Sequence, residues 1–289
     1  MPLVILEMKA FLNLIKFEHT IFALPFAYLG MVLAAHGWPG WDKLIWVTIA
    51  MASARTLAMA FNRIADRWWD ARNPRTALRP LVSGSISLRT AWSGTLVSLM
   101  VLVLATWQLG PLPLLLLPGA LLFLIGYSYT KRFTVFSHFI LGFTDGLAPA
   151  GAWVAVSGSL FTLGDLPAWL LTAVVTLWIG GFDLLYACQD VDFDRQYGLH
   201  SIPARRGVPF ALGLSTLCHA VMLVLLVILG ILSGLGWLYD AALAITALLL
   251  VWEHRLVKPD DLSKIDQAFF NINSYIAIVL FAGVLLGLV

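Results

Sequence analysis

Residues 44–70, LIWVTIAMASARTLAMAFNRIADRWWD, decide the fold class. A long apolar run ends in a polar tip in which Asn62, Asp66 and Asp70 recur every fourth residue. About 20 apolar residues suffice for a helix to cross a bilayer, and residues four apart stack along one helix face. The segment therefore reads as a membrane helix whose end carries a line of acid and amide groups. A second stretch, residues 186–194, YACQDVDFD, also follows an apolar run and repeats the spacing with Tyr186, Asp190 and Asp194.

The rest of the chain fits that reading. Of 289 residues 60% are hydrophobic and 12% charged, about half the charge of a soluble domain. The mean hydropathy is +0.88. The formal charge of +2 is uninformative, and Cys188 and Cys218 are too few and too isolated for a disulfide framework or a metal site. They read as small core residues. Glu7, Lys9, Lys16, Glu18 and His19 interrupt the start, unlike a cleaved leader, so the first span is expected to be retained.

Apolar runs predict nine spans near residues 18–36, 44–65, 88–108, 112–129, 137–157, 166–187, 208–232, 236–252 and 268–288. Pro25, Pro118 and Pro149 fall inside spans, where neighbouring helices can satisfy the freed carbonyls. Basic residues alternate between connections. One side holds Lys9 and Lys16; Arg63 to Arg89; Lys131 and Arg132; Arg195, Arg205 and Arg206; and Arg255, Lys258 and Lys264. The other side holds Lys43. This asymmetry predicts a cytoplasmic N-terminus and cytoplasmic acidic tips. The expected fold is all-α: one polytopic membrane domain over residues 1–289, with two four-helix repeats, each keeping the acidic end of its second helix, plus a ninth helix.

Charges at a membrane need partners, and carboxylates one turn apart repel. Mg²⁺ relieves that repulsion, binding carboxylate oxygens together with waters and phosphate oxygens of a substrate. A single pair of this kind is often no more than a solvated helix end. Two pairs, equivalent in position and on one predicted side, favour paired Mg²⁺ ions facing a diphosphate. Asp192 is out of phase and reads as solvated.

Asn62, Asp66 and Asp70, followed by Asn73-Pro74-Arg75-Thr76 and Arg79-Pro80-Leu81, resemble the first signature of the UbiA superfamily of intramembrane prenyltransferases. Gly181-Phe182-Asp183-Leu184-Leu185-Tyr186-Ala187, leading to Asp190 and Asp194, resembles the second, and Tyr127 with Lys131 and Arg132 resembles the segment after the fourth span. The resemblance implies nine helices around a central cavity, with a cytoplasmic mouth and a lateral opening for the prenyl chain. It implies that Asn62, Asp66, Asp70, Asp190 and Asp194 hold Mg²⁺ and the diphosphate, with Lys131 in contact with the diphosphate. Arg67 and Arg132 match family arginines tied to the carboxylate of an aromatic acid or to the diphosphate; Tyr186 joins the substrate contacts, and the match of Lys16 is looser. The catalytic set is Asp66, Asp190, Lys131 and Arg132, with Asp190 a candidate for taking a proton from the phenol or ring.

The expected reaction moves a polyprenyl chain from its diphosphate to 4-hydroxybenzoate or a dihydroxynaphthoate. The stretches Lys16-Phe17-Glu18-His19-Thr20 and Ala148-Pro149-Ala150-Gly151-Ala152-Trp153 depart from the proteobacterial 4-hydroxybenzoate enzymes and look more like a branch of the family with members that serve menaquinone made by the futalosine route, which leaves the acceptor open between the two. The expected partners are those substrates and membrane lipid, without nucleic acid. Haem, chlorophyll or lipid-ether acceptors are alternatives within the family. A secondary transporter is the alternative outside it, although its charges should gather near the midplane. Arg55, Asp145 and Asp183 read equally as buried ion pairs or as an inner wall of the aromatic site. The tryptophans near predicted interfaces read as an aromatic belt, Arg205 and Arg206 as lipid contacts, and His19 and His200 as polar fillers.

Overall fold

The computed structural model describes residues 3–16, 18–265 and 271–288. Phe17, residues 268–270 of the expected ninth span, and the side chains of Glu7, Glu18 and His19 lie outside the described residues. The helices are α1 (Leu3–Ile15), α2 (Glu18–Ala35), α3 (Trp41–Asp70), α4 (Pro80–Ser83), α5 (Leu88–Leu109), α6 (Pro111–Thr130), α7 (Ser137–Ser157), α8 (Leu166–Ala187), α9 (Val191–Tyr197), α10 (Ile202–Arg206), α11 (Val208–Ser233), α12 (Trp237–Leu256) and α13 (Asn273–Gly287). Each of the nine expected spans overlaps one of them. Among the described residues six helical stretches are long and apolar enough to cross a membrane: α3, α5, α6, α7, the stretch containing α8, and α11. Leu24–Ala35 and Asn273–Gly287 are shorter apolar helices. Pro25, Pro118 and Pro149 are carried inside helices, as expected.

With 30 residues, α3 is about 45 Å long at 1.5 Å per residue. That exceeds the ~30 Å hydrocarbon core of a bilayer, so one end must project into a polar zone. The end that carries Asn62, Asp66 and Asp70 is built for that zone: the chain beyond it folds into consecutive turns rather than leaving at once for α5. Thr76 Oγ1 donates to Asp70 O at 3.0 Å, and the Arg75 N–H donates to Asn73 Oδ1 at 3.0 Å. These turns send the arginines after the helix back over its own tip.

The core runs along α7 and α8, which α2 and α11 flank. A Cβ on Gly142 of α7 would fall onto the carbonyl of Thr176 in α8, and one on Gly146 would sit 2.7 Å from Thr172 O. Small residues four apart let membrane helices approach closely, where packing rather than the hydrophobic effect drives association. This contact fixes the depth of α7 residues relative to those of α8. On the other flank of α8, Trp178 packs on Phe26 with ring centroids 4.5 Å apart and donates from Nε1 to Asn273 Oδ1 at 2.7 Å. The bundle thus closes from α2 round to α13. Cys188 and Cys218 are free and buried, consistent with small core residues. Trp38, Trp41, Trp68, Trp237 and Trp252 are exposed.

Candidate active site

Three adjoining cavities lie within the bundle. A polar chamber of about 240 Å³ sits under the loops that follow α3 and α8. A central chamber of about 830 Å³ adjoins it, and an apolar chamber of about 350 Å³ runs between α3, α5, α6 and α7. Tyr127 and Leu141 line all three. The apolar chamber extends along α6 from Tyr127 to Pro113, a depth of about 20 Å by the helical rise.

The structure brings Asn62, Asp66, Asp70, Asp190, Asp194, Lys131, Arg132 and Tyr186 to the wall of the polar chamber. Each is tied down locally. Asn62 Nδ2 donates to Asp66 Oδ2 at 2.9 Å, as expected for neighbours one turn apart. Arg132 Nη2 donates to Ala65 O at 2.8 Å and to Asp66 Oδ1 at 3.3 Å. Asp70 accepts from Arg79 Nη1 at 2.6 Å. Asp194, fully buried, accepts from Ser201 Oγ at 2.5 Å. Its Oδ1 lies 2.9 Å from Lys131 Nζ but outside hydrogen-bonding alignment with any donor. Gly198, at φ 70°, ends α9 and turns the chain so that Leu199 N–H donates to Asp194 O at 2.8 Å.

The second acidic tip departs from the expected helical face. Helix α8 stops at Ala187, and Cys188–Asp190 forms a 3-10 turn before α9 begins. The tighter winding of a 3-10 turn shifts Asp190 from the position a continuous α-helix would give it. Arg75 occupies that position's partner role. Its Nε and Nη2 donate to Asp190 Oδ1 and Oδ2 at 2.9 and 2.5 Å, and Nη1 donates to Tyr186 OH at 2.8 Å. Asn73 Nδ2 adds a bond to Asp190 Oδ1 at 2.9 Å. This bidentate pair is the strong form of a charge-assisted hydrogen bond, and it joins the loop after α3 to the end of α8. Burial pulls the Arg75 guanidinium toward deprotonation, but the Asp190 bonds outweigh it and hold the pKa above its usual value.

Arg67 is placed differently from its expected role. It is exposed and lines none of the three cavities. One residue after Asp66, it lies about 100° round the helix, so the face that points Asp66 inward points Arg67 out. Arg63, three residues before Asp66 and on its face, lines both the polar and central chambers. Helical phase alone could have selected it. Lys16 lines the central chamber with Asn13 and Leu14. Asp192, Arg205 and Arg206 are exposed, and His200 pairs with Arg205.

The polar chamber is lined by Arg63, Arg75, Arg79, Lys131 and Arg132 against Asp66, Asp70, Asp183, Asp190 and Asp194, so its formal charges balance. A bare diphosphate would upset that balance, and one arriving with divalent cations would not. Among the described residues no three acid or imidazole groups converge tightly enough to cage a metal unaided. Mg²⁺ does not require this, because it commonly takes one or two carboxylates and fills its octahedron with waters and substrate phosphates. The hard oxygen donors present, and the buried Asp194 Oδ1 without an aligned donor, fit that ion.

Deeper in the bundle, Arg55 and Asp145 face each other at 3.8 Å and line both the central and apolar chambers. The Arg55 Nε is buried without a hydrogen-bond partner. Arg55 and Asp145 thus form the expected ion pair, and the same pair lines a chamber wall.

A model of the UbiA prenyltransferase family matches residues 23–275. Among relatives, the 4-hydroxybenzoate octaprenyltransferase of Xanthomonas oryzae pv. oryzae (strain PXO99A) is 32% identical over 253 residues, which cover 87% of this chain and 82% of that one. The apo structure of a UbiA homolog from Aeropyrum pernix K1 is 36% identical with a TM-score of 0.85, covering 94% of this chain and 98% of that one. The fold is also shared with a UbiA homolog from Archaeoglobus fulgidus bound to GPP and Mg²⁺, at 19% identity, a TM-score of 0.67, and 95% and 99% coverage. Arginine-locked acids above an apolar chamber, six long apolar helices among the described residues and these likenesses agree: the chain is an integral membrane protein that belongs to the UbiA prenyltransferase family.

Proposed function

We propose that this prenyltransferase transfers a polyprenyl chain from its diphosphate to a hydroxylated aromatic acid, 4-hydroxybenzoate or a dihydroxynaphthoate, with Mg²⁺ bound at the polar chamber. The carrying observation is that three environments share the walls at Tyr127 and Leu141: balanced charges under the α3 and α8 tips, a mixed central chamber, and an apolar chamber about 20 Å deep by the helical rise. An amphiphile with a charged head and a long hydrocarbon tail matches that gradient. The name of the Xanthomonas relative and the ligands of the Archaeoglobus homolog support the same chemistry.

In this reading Asn62, Asp66, Asp70, Asp190 and Asp194 hold the metal, which when bound neutralises charge developing on the departing diphosphate. Lys131, Arg75 and Arg132, all on the wall of the polar chamber, bind the diphosphate oxygens. These fixed charges are preorganised, so they stabilise the leaving group without rearranging. The tail lies in the apolar chamber, where each buried CH₂ contributes about 0.8 kcal/mol. Arg55, which lines the central and apolar chambers, orients the acceptor's carboxylate by hydrogen bonds. The apolar walls keep water from the allylic cation. The nine helices span the membrane with the N-terminus and the polar chamber cytoplasmic.

The test supplies the full chain in membranes with labelled geranyl diphosphate and a panel of hydroxylated aromatic acids, with and without Mg²⁺. The expected result is Mg²⁺-dependent release of pyrophosphate matched by a prenylated acid. Vesicle uptake of an unmodified compound without pyrophosphate release would instead favour a transporter.

A further inference from the structure

Two turns before Asp190 on α8, about 10 Å deeper by helical rise, Asp183 lines both the polar and the central chambers. It stands where the head of the donor and the ring of the acceptor would meet. Its Oδ2 lies 2.6 Å from His138 Nδ1 on α7. The His138 ring is 2% exposed, and its Nε2 accepts from the backbone N–H of Ile202 at 3.4 Å. With Nε2 accepting, the proton belongs on Nδ1, so a neutral imidazole donates to Asp183. The α7–α8 contact at Gly142, one turn from His138, holds the two helices at this register.

The other carboxylates on these chambers have cationic partners: Asp66 with Arg132, Asp70 with Arg79, Asp145 with Arg55, Asp190 with Arg75 and Asp194 with Lys131. A cation seated against a carboxylate occupies the lone pairs with which that group would take a proton. Asp190 is further restricted, since both of its oxygens accept from Arg75. Among the described residues Asp183 pairs with an imidazole instead, its side chain keeps 24% exposure, and its Oδ1 makes no hydrogen bond.

We propose that Asp183 is the general base of the reaction, taking the ring proton through Oδ1, and that His138 positions it; this rests on the aromatic prenyl transfer proposed above. The ring carbon ortho to the hydroxyl bonds to C1 of the prenyl group. The C1–O bond breaks and its electron pair leaves on the diphosphate. The proton on that ring carbon passes to Asp183, and the C–H electron pair restores the aromatic ring. Asp183 then returns its proton to water at the polar chamber.

The experiment uses the full chain in lipid nanodiscs with Mg²⁺, geranyl diphosphate, and an accepted aromatic acid carrying hydrogen or deuterium ortho to its hydroxyl. Wild type is expected to show no isotope effect on kcat, because proton loss follows the slow step. Asp183→Asn is expected to lower kcat about 10²-fold, to leave the donor KM near wild type, and to expose a primary isotope effect. Asp183→Glu, which keeps the carboxylate, should recover much of kcat; a purely structural role gives no such rescue and no isotope effect. His138→Gln should lower kcat less than Asp183→Asn does. Asp183→Asn turning over like wild type, or a loss without an isotope effect and without rescue by glutamate, overturns the assignment of the base. Wild type that alkylates no aromatic acid overturns the functional reading itself, so the two failures are distinct.

Discussion

At the end of α3 the helix runs unbroken through Asn62, Asp66 and Asp70, whereas at the end of α8 it stops at Ala187 and the acids continue on a 3-10 turn and a short helix. The partners differ as much as the backbones. Asp66 keeps 27% of its side chain exposed and meets Arg132 at 3.3 Å. Asp190 and Asp194 keep 8% and 0%, each closed by a cation and by at least one neutral donor. The same acid spacing therefore serves two purposes. On the α3 tip Asp66 stays partly open beside an Asp70 that Arg79 locks, and on the α8 tip both acids are closed, so that end clasps two loops.

That contrast predicts a ladder of stabilities under thermal unfolding in detergent. Arg75→Ala should cost the most, about 3–5 kcal/mol, because it strands a buried Asp190 without its cation. Asp165→Asn is next. Asp165, at the opposite end of the bundle from the polar chamber, accepts from Trp153 Nε1, Ser159 Oγ and both the N–H and the hydroxyl of Thr162. An amide cannot accept all four, so about 1–3 kcal/mol should be lost, while kcat of the surviving enzyme stays near wild type. Asp66→Asn should change stability by less than about 1 kcal/mol, since its ion pair is partly exposed. Its turnover should nonetheless fall about 10²-fold or more, the scale of losing one preorganised charge contact. Arg67→Ala should sit at the bottom, within about 0.5 kcal/mol and with near-normal turnover. If Asp66→Asn unfolded the protein as readily as Arg75→Ala, the contrast between the tips would disappear.

The helices and the register of the α3 tip were legible in the sequence, because apolar length and a four-residue repeat are local signals. The α8 tip was legible in composition but not in geometry, since nothing in Tyr186–Asp194 announces the break after Ala187. Arg75 was visible as a motif residue without a role; its partner lies 115 residues away, beyond the reach of any local pattern. Motif position points to Arg67, whereas helical phase favours Arg63, the one of the two that lines the chambers. The pairing of His138 with Asp183 depends on the close packing of α7 on α8, which glycines at 142 and 146 permit but do not specify.

In the proposed function the two tips grip one diphosphate together. Thermal unfolding of wild type, Asp66→Asn and Asp190→Asn, each measured with Mg²⁺ alone and with Mg²⁺ plus geranyl diphosphate, tests it directly. A ligand that binds the native state raises the apparent stability by about 2.7 kcal/mol at 100 times its Kd. Wild type should show that rise with the diphosphate, and both variants should lose it. A variant at either tip that is stabilised as fully as wild type would contradict a shared site.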